Sequence, residues 1–251
     1  KFVSNLSSYD TAINATAYNL VDKAEEDGNN ALAVNRDAVR IMADFCKRTG
    51  ALFVHFSTNY VFDGKNEIAN CEDDIDFIKP LGKYGQSKLD GEVAVRNSGC
   101  KYLIFRLSTV FRENKTNFVT KMLELFEKHE ELRIVNDQIT NPSYSYDIAE
   151  AVTQIITGDF NEKSLNQIYH MANKGEVSYF ELCRFIHEEV KDNAKFDVIT
   201  KKISGIASSG YPTPAQRPLN GVMNLNKLKE HFGISLPSWQ DGVKRVIQKS
   251  Q

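Results

Sequence analysis

The sequence predicts an α/β fold, a parallel sheet flanked by helices with a smaller α-rich lobe towards the C-terminus. Leu52-Phe53-Val54-His55-Phe56-Ser57 and Tyr102-Leu103-Ile104-Phe105-Arg106 are strand-length runs that lack the alternation of a half-exposed strand. Strands buried on both faces read this way, and parallel sheets bury both faces under helices. Helical spacing before and between these runs gives the strand, helix, strand order of a parallel unit. Helices dominate the second half, which predicts a lobe beside the sheet, with the boundary expected after residue 135.

Thr11 to Ala17 reads as a short buried strand ending in small residues, which let a ligand, or equally a tightly packed helix, approach the backbone. From Ala31 to Arg48 apolar residues such as Leu32, Val39, Met42, Phe45 and Cys46 recur at helical spacing, and Gly50 marks the stop. The strand from Leu52 delivers Ser57-Thr58-Asn59-Tyr60 to its C-terminal end, the edge where open α/β sheets bind ligands. Val61 to Lys83 is loop-like, with a turn at Asp63-Gly64. The next helix carries Tyr84 and Lys88 and runs to about Ser98, with Gly99 as its cap. Leu107-Ser108-Thr109-Val110-Phe111 then follows the second long strand on the same ligand edge.

Beyond it, helices are expected from Phe118 to His129, Tyr146 to Thr157, Ser178 to Val190, Leu225 to Phe232 and Ser238 to about Gln248. Short strands are expected at Leu132 to Val135, Ile168 to Met171 and Asp197 to Thr200. Ser178-Tyr179-Phe180-Glu181 is a capping box, in which Ser178 and Glu181 satisfy free N–H groups at a helix start. Tyr211-Pro212-Thr213-Pro214-Ala215-Gln216-Arg217-Pro218 is a stiff, extended segment.

With 251 residues, 41% of them hydrophobic and 25% charged, the chain can bury a sizeable core. A net charge of −2 without basic runs argues against nucleic acid as a partner, and no apolar segment reaches membrane-spanning length. Cys46, Cys71, Cys100 and Cys183 form no Cys-x-x-Cys pair, which fits a reducing, cytoplasmic compartment. The five histidines show no metal-ligand spacing.

Tyr84-Gly85-Gln86-Ser87-Lys88 places a phenol and an ammonium on one helical face, so the cation can favour the ionised phenol and make Tyr84 a general acid/base. The spacing alone is weak, because ten tyrosines in a lysine-rich chain produce roughly one such match by chance. The competing reading is a solvated helix start with a surface lysine. Context strengthens the catalytic one: Thr58, Tyr84 with Lys88, and Ser108 with Thr109 all reach the same sheet edge, where they could polarise a carbonyl and protonate its oxygen.

In Asn14-Ala15-Thr16-Ala17-Tyr18, Ser57-Thr58-Asn59-Tyr60-Val61-Phe62, Tyr84 to Leu89, Asn136-Asp137-Gln138, Tyr211 to Pro218 and Pro237-Ser238-Trp239-Gln240 the chain resembles the dTDP-4-dehydrorhamnose reductase family of extended short-chain dehydrogenases/reductases. The resemblance covers nearly the whole chain. It implies a Rossmann-like dinucleotide-binding domain over 1–135 and a mainly substrate-binding lobe over 136–251. It implies NADPH or NADH as hydride donor and reduction of the C4 keto group of a nucleotide-linked 6-deoxyhexose. Tyr84 would protonate the C4 oxygen, Lys88 would hold the nicotinamide ribose and lower the phenol's pKa, and Thr58 would bind the carbonyl oxygen. Thr16, Ala17 and Tyr18 would line the cofactor; Asn59, Tyr60 and Thr109 would face the hexose. Arg217 suits the diphosphate as a bidentate partner, and equally a structural salt bridge. A homodimer assisted by Mg2+ is also implied by relatives.

Two residues depart from the family's usual pattern: Asn59 replaces an aspartate and Thr109 a tryptophan, which leaves the identity of the sugar open. An epimerase of the same superfamily, or a non-catalytic subunit like the regulatory β subunit of methionine adenosyltransferase, are the alternatives. No Gly-x-x-Gly-x-x-Gly occurs in the sequence. The resemblance implies roughly fifty residues ahead of Asn14 that would carry it, one strand-helix-strand unit, with Lys1 to Leu6 as its remnant. A polypeptide without that unit is expected to bind NAD(P)H poorly, and the choice between the two cofactors would lie in it.

Overall fold

The computed structural model describes residues 10–158 and 161–250; the expectation for Lys1 to Leu6 lies outside them. β1 (Thr11–Asn14) leads through α1 (Val21–Ala24), α2 (Gly28–Leu32) and a π-helical turn at Ala33–Asp37 into α3 (Ala38–Thr49). Then come β2 (Leu52–Thr58), α4 (Lys83–Ser98) and β3 (Tyr102–Leu107). β4 (Val110–Phe111), α5 (Phe118–Phe126), β5 (Glu131–Val135), β6 (Ile139–Thr140) and β7 (Ser143–Tyr144) are followed by α6 (Ser145–Thr157) and β8 (Gln167–His170). β9 (Val177–Ser178), α7 (Tyr179–Val190), β10 (Lys202–Ile206), α8 (Asn226–Phe232) and α9 (Trp239–Lys249) complete the chain order.

The central sheet is parallel throughout, in the order β1-β2-β3-β8. In β2 and β3 the side chains alternate between two buried faces, which is why those sequences do not alternate in polarity; β1, expected as a buried strand over Thr11 to Ala17, ends at Asn14 and leaves Ile13 48% exposed. Phe53, Tyr102 and Ile104 face one core with Val39, Ala43 and Cys46 of α3 and Val95 of α4. Leu52, Val54, Leu103 and Phe105 face the other, packed by Ile148, Val152 and Ile155 of α6 and Leu228 of α8. A third core joins α5, α7 and α9 through Val119, Phe126, Leu182, Ile186, Trp239 and Val243. Chain order and packing interleave: α5 belongs to this third core, whereas α6 and α8 return to the sheet.

The predicted caps are present. Gly50 and Gly99 end α3 and α4 with φ of 75° and 72°, in the left-handed region where an L side chain is strained. Ser178 and Glu181 form the capping box that starts α7. One expected strand lies elsewhere: pairing begins at Lys202 rather than Asp197, with Lys202 opposite Glu131 and Ile206 opposite Val135. The N–H groups of Ile199 and Thr200 are committed to the Phe126 carbonyl at the end of α5, so this stretch caps a helix instead of extending a sheet.

Candidate active site

A cleft of about 600 Å³ opens at the C-terminal ends of β1, β2 and β3. Thr16, Ala17, Thr58, Tyr84, Lys88 and Thr109 of the predicted set line it. The small residues after β1 keep that wall open, and Asn14 fixes its shape: its Oδ1 accepts from the Thr16 N–H at 3.0 Å and the Thr16 hydroxyl at 2.7 Å. Tyr18, Asn59, Tyr60 and Arg217 are not among the lining residues. The Tyr18 hydroxyl donates to Asp27 and its N–H to Asn35, at 3.0 and 2.8 Å. Asn59 is buried, its amide donating to the Gly221 carbonyl at 3.0 Å. Arg217 pairs with Asp22 at 2.9 Å and donates to Thr213 Oγ1 and the Ala215 carbonyl. Of its two sequence readings, the geometry supplies the salt bridge.

α4 reaches the cleft because glycine lets it approach: a Cβ on Gly85 would strike the Tyr60 carbonyl. Tyr84 then stands edge-on to Tyr60, ring centroids 5.8 Å apart. Burial raises the Tyr84 phenol above its ordinary value, with the Thr58 hydroxyl pulling the other way. Lys88 does not enter this balance; its Nζ donates to the Phe56 carbonyl at 2.6 Å. With its pKa raised the phenol stays protonated near neutrality, the state from which it can give a proton. Burial pulls the Lys88 amine down to about 8, against the opposing pull of Glu92.

On the facing wall Thr109 has φ 40°, an unusual left-handed conformation for a β-branched residue. Its hydroxyl is held by Thr140 at 2.9 Å and by the Tyr179 hydroxyl at 3.0 Å, and Ser108 joins Thr140 at 2.5 Å. Tyr179 lines the cleft, its ring 4.9 Å from that of Phe118. Neither aromatic was singled out in sequence. The capping box places Tyr179 in the first turn of α7, but nothing local shows that its hydroxyl returns to a residue 70 positions earlier.

These residues fit the nicotinamide-ribose end of a dinucleotide: small residues after β1, a buried lysine and a phenol at the carboxyl edge of a parallel sheet. Among the described residues no three His, Cys, Asp or Glu side chains gather to hold a metal ion.

The likeness to known proteins runs along the same lines. The profile of the family described as RmlD substrate binding domain matches residues 3–251. dTDP-4-dehydrorhamnose reductase of Sinorhizobium fredii is 37% identical over 95% of this chain and 79% of its own length. That of Escherichia coli K12 is 34% identical over 96% and 79%. A crystal structure of the Bacillus anthracis dTDP-4-dehydrorhamnose reductase in complex with NADP superposes with a TM-score of 0.86 at 29% identity, covering 96% of this chain and 81% of that one. UDP-glucose 4-epimerase of Thermotoga maritima shares the fold at a TM-score of 0.75 and 16% identity, with 95% and 76% covered. The fold class is thus the Rossmann-like one of the short-chain dehydrogenases/reductases. Within it, the chain belongs to the dTDP-4-dehydrorhamnose reductase family.

Proposed function

We propose that this protein is an NAD(P)H-dependent reductase of the C4 keto group of a nucleotide-linked 6-deoxyhexose, with dTDP-4-dehydrorhamnose as substrate and dTDP-L-rhamnose as product. The observation that carries the reading is the meeting of Thr58, Tyr84 and Lys88 in one cleft at the carboxyl edge of a parallel sheet, in a chain of this family. The reduced nicotinamide, when bound, supplies a hydride to the carbonyl carbon. Tyr84 protonates the carbonyl oxygen as negative charge develops there, and Thr58 donates a hydrogen bond to the same oxygen. Lys88 contributes a positive charge beside the cofactor ribose. Residues 1–135 are assigned mainly to the cofactor, with Thr16, Ala17 and Tyr18 beside it. Residues 136–251, with Arg217, are assigned mainly to the substrate, and residues 1–135 add Thr109 on the sugar with Asn59 and Tyr60 behind it. Four free cysteines support a reducing, cytoplasmic setting.

The test follows NADH and NADPH oxidation with dTDP-4-dehydrorhamnose for the wild type and Tyr84→Phe. Losing the proton donor is expected to lower kcat by about 10²- to 10⁴-fold, with the fold intact. Turnover in Tyr84→Phe equal to that of the wild type would remove Tyr84 from the chemistry.

A further inference from the structure

One turn beyond Lys88 on the same face of α4 lies Glu92, 1% exposed. Its carboxylate accepts two hydrogen bonds from Arg106 of β3, at 2.9 and 2.8 Å, and a third from the Ser57 hydroxyl of β2 at 2.5 Å. Arg106 is equally buried; it lies over the Phe62 ring and donates to the Glu72 carbonyl at 3.4 Å. Lys88 meets β2 one residue earlier, at the Phe56 carbonyl. α4 is therefore tied to two consecutive residues of β2, once through the ammonium and once through the carboxylate.

Stability alone is a poor reason for this arrangement, because apolar residues of similar volume can replace a buried ion pair at little or no loss. We propose that Glu92, locked by Arg106 and Ser57, is a positioning residue for Lys88: it fixes α4 against β2 so that the ammonium reaches the Phe56 carbonyl. The inference rests on the reading of this cleft as a reductase site, and it adds a role for Glu92 and Arg106, which do not themselves line the cleft. The charged and titratable groups around Lys88 support it. On its own helix stand Tyr84, which keeps its proton, and Glu92. From β2 comes His55, which burial holds neutral, and from β3 comes Arg106, whose charge Glu92 answers directly.

The test reads the Lys88 proton without requiring turnover. The full chain is labelled with carbon-13 at the lysine ε-carbon, the Lys88 signal is assigned with Lys88→Met, and its shift is followed through neutral and alkaline pH. In the wild type the midpoint is expected at about 8. In Glu92→Gln it is expected to fall by about one pH unit, a ten-fold weaker hold on the proton. The double variant Glu92→Met/Arg106→Met guards against misfolding, since it removes both charges together. It is expected to melt like the wild type and still show the lowered Lys88 midpoint. A wild-type midpoint in a well-folded double variant would make the pair merely structural and overturn the proposal. A lowered midpoint in a protein whose wild type turns over no nucleotide sugar would support the positioning role while sinking the reductase reading.

Discussion

Lys88 shows how burial changes what a residue can do. In water its amine would titrate at 10.5, and in the fold it titrates at about 8. Protonated below that value, it loses its charge as pH rises through it. If the ammonium supports turnover, kcat/KM falls above about pH 8. Lys88→Arg keeps a cation that does not titrate in this range and should abolish that alkaline limb while lowering the rate at every pH. A wild-type profile that stays flat through the limb would exclude the ammonium from the rate. Tyr84 and Lys88 were legible in the sequence because a four-residue spacing on a helix fixes their relative direction. The neighbours that set their chemistry were not. Phe56 meets Lys88 through a backbone carbonyl, which no side-chain pattern announces, and Arg106 reads in sequence as the polar end of a strand although it is 1% exposed.

At the scale of elements, α4 is the piece on which the site depends. It lies against two segments that approach it too closely for any side chain at the contact: Gly85 faces the Tyr60 carbonyl, and Gly91 faces the Asn35 carbonyl in the π-helical turn. Gly85→Ala should push the start of α4 away from the turn at Asn59–Val61 and move Tyr84 with it. The expected cost is about 1–3 kcal/mol of stability, read from the urea unfolding midpoint, together with a lower kcat. An alanine variant with unchanged stability and turnover would show that the helix yields without disturbing the site. The boundaries of α4, β2 and β3 follow the sequence patterns closely, since long periodic runs and left-handed glycine caps are local signals. The two-residue strands β4, β6, β7 and β9 carry no such signal. Each exists because a distant partner meets it, as Ile139 meets Ser178 and Val110 meets Ser143. The same holds for the shift of β10, where hydrogen bonding to the end of α5 decides where pairing starts.

For the whole molecule, the sheet between two helical layers places two histidines where water cannot reach them. His55 and His170 are both fully buried, and burial holds each well below its ordinary value of 6.5. Asn14 donates to Nδ1 of His55 at 3.1 Å, which puts the ring proton on Nε2; Nδ1 of His170 instead faces the Asn224 carbonyl at 3.2 Å. Among the described residues, Nε2 finds no partner in either ring. Neither site welcomes a second proton, because His170 also feels Arg106 and His55 feels Lys88. The unfolded chain takes up protons on both rings as pH drops through about 6.5, and the folded chain does not. The stability from keeping the rings neutral is therefore complete above about 6.5 and is lost as pH falls further. Its slope approaches about 1.4 kcal/mol per pH unit for each histidine. Glu72 opposes part of this, since its carboxyl is raised by burial and takes up a proton more readily in the folded state. Urea unfolding followed from neutral to mildly acidic pH should show the fall, and His170→Gln should reduce its slope by about one proton's worth. Stability that stays level over that interval in the wild type would mean that the rings take up protons without unfolding, and the packing between sheet and helices would then have to be looser than the full burial of both side chains indicates.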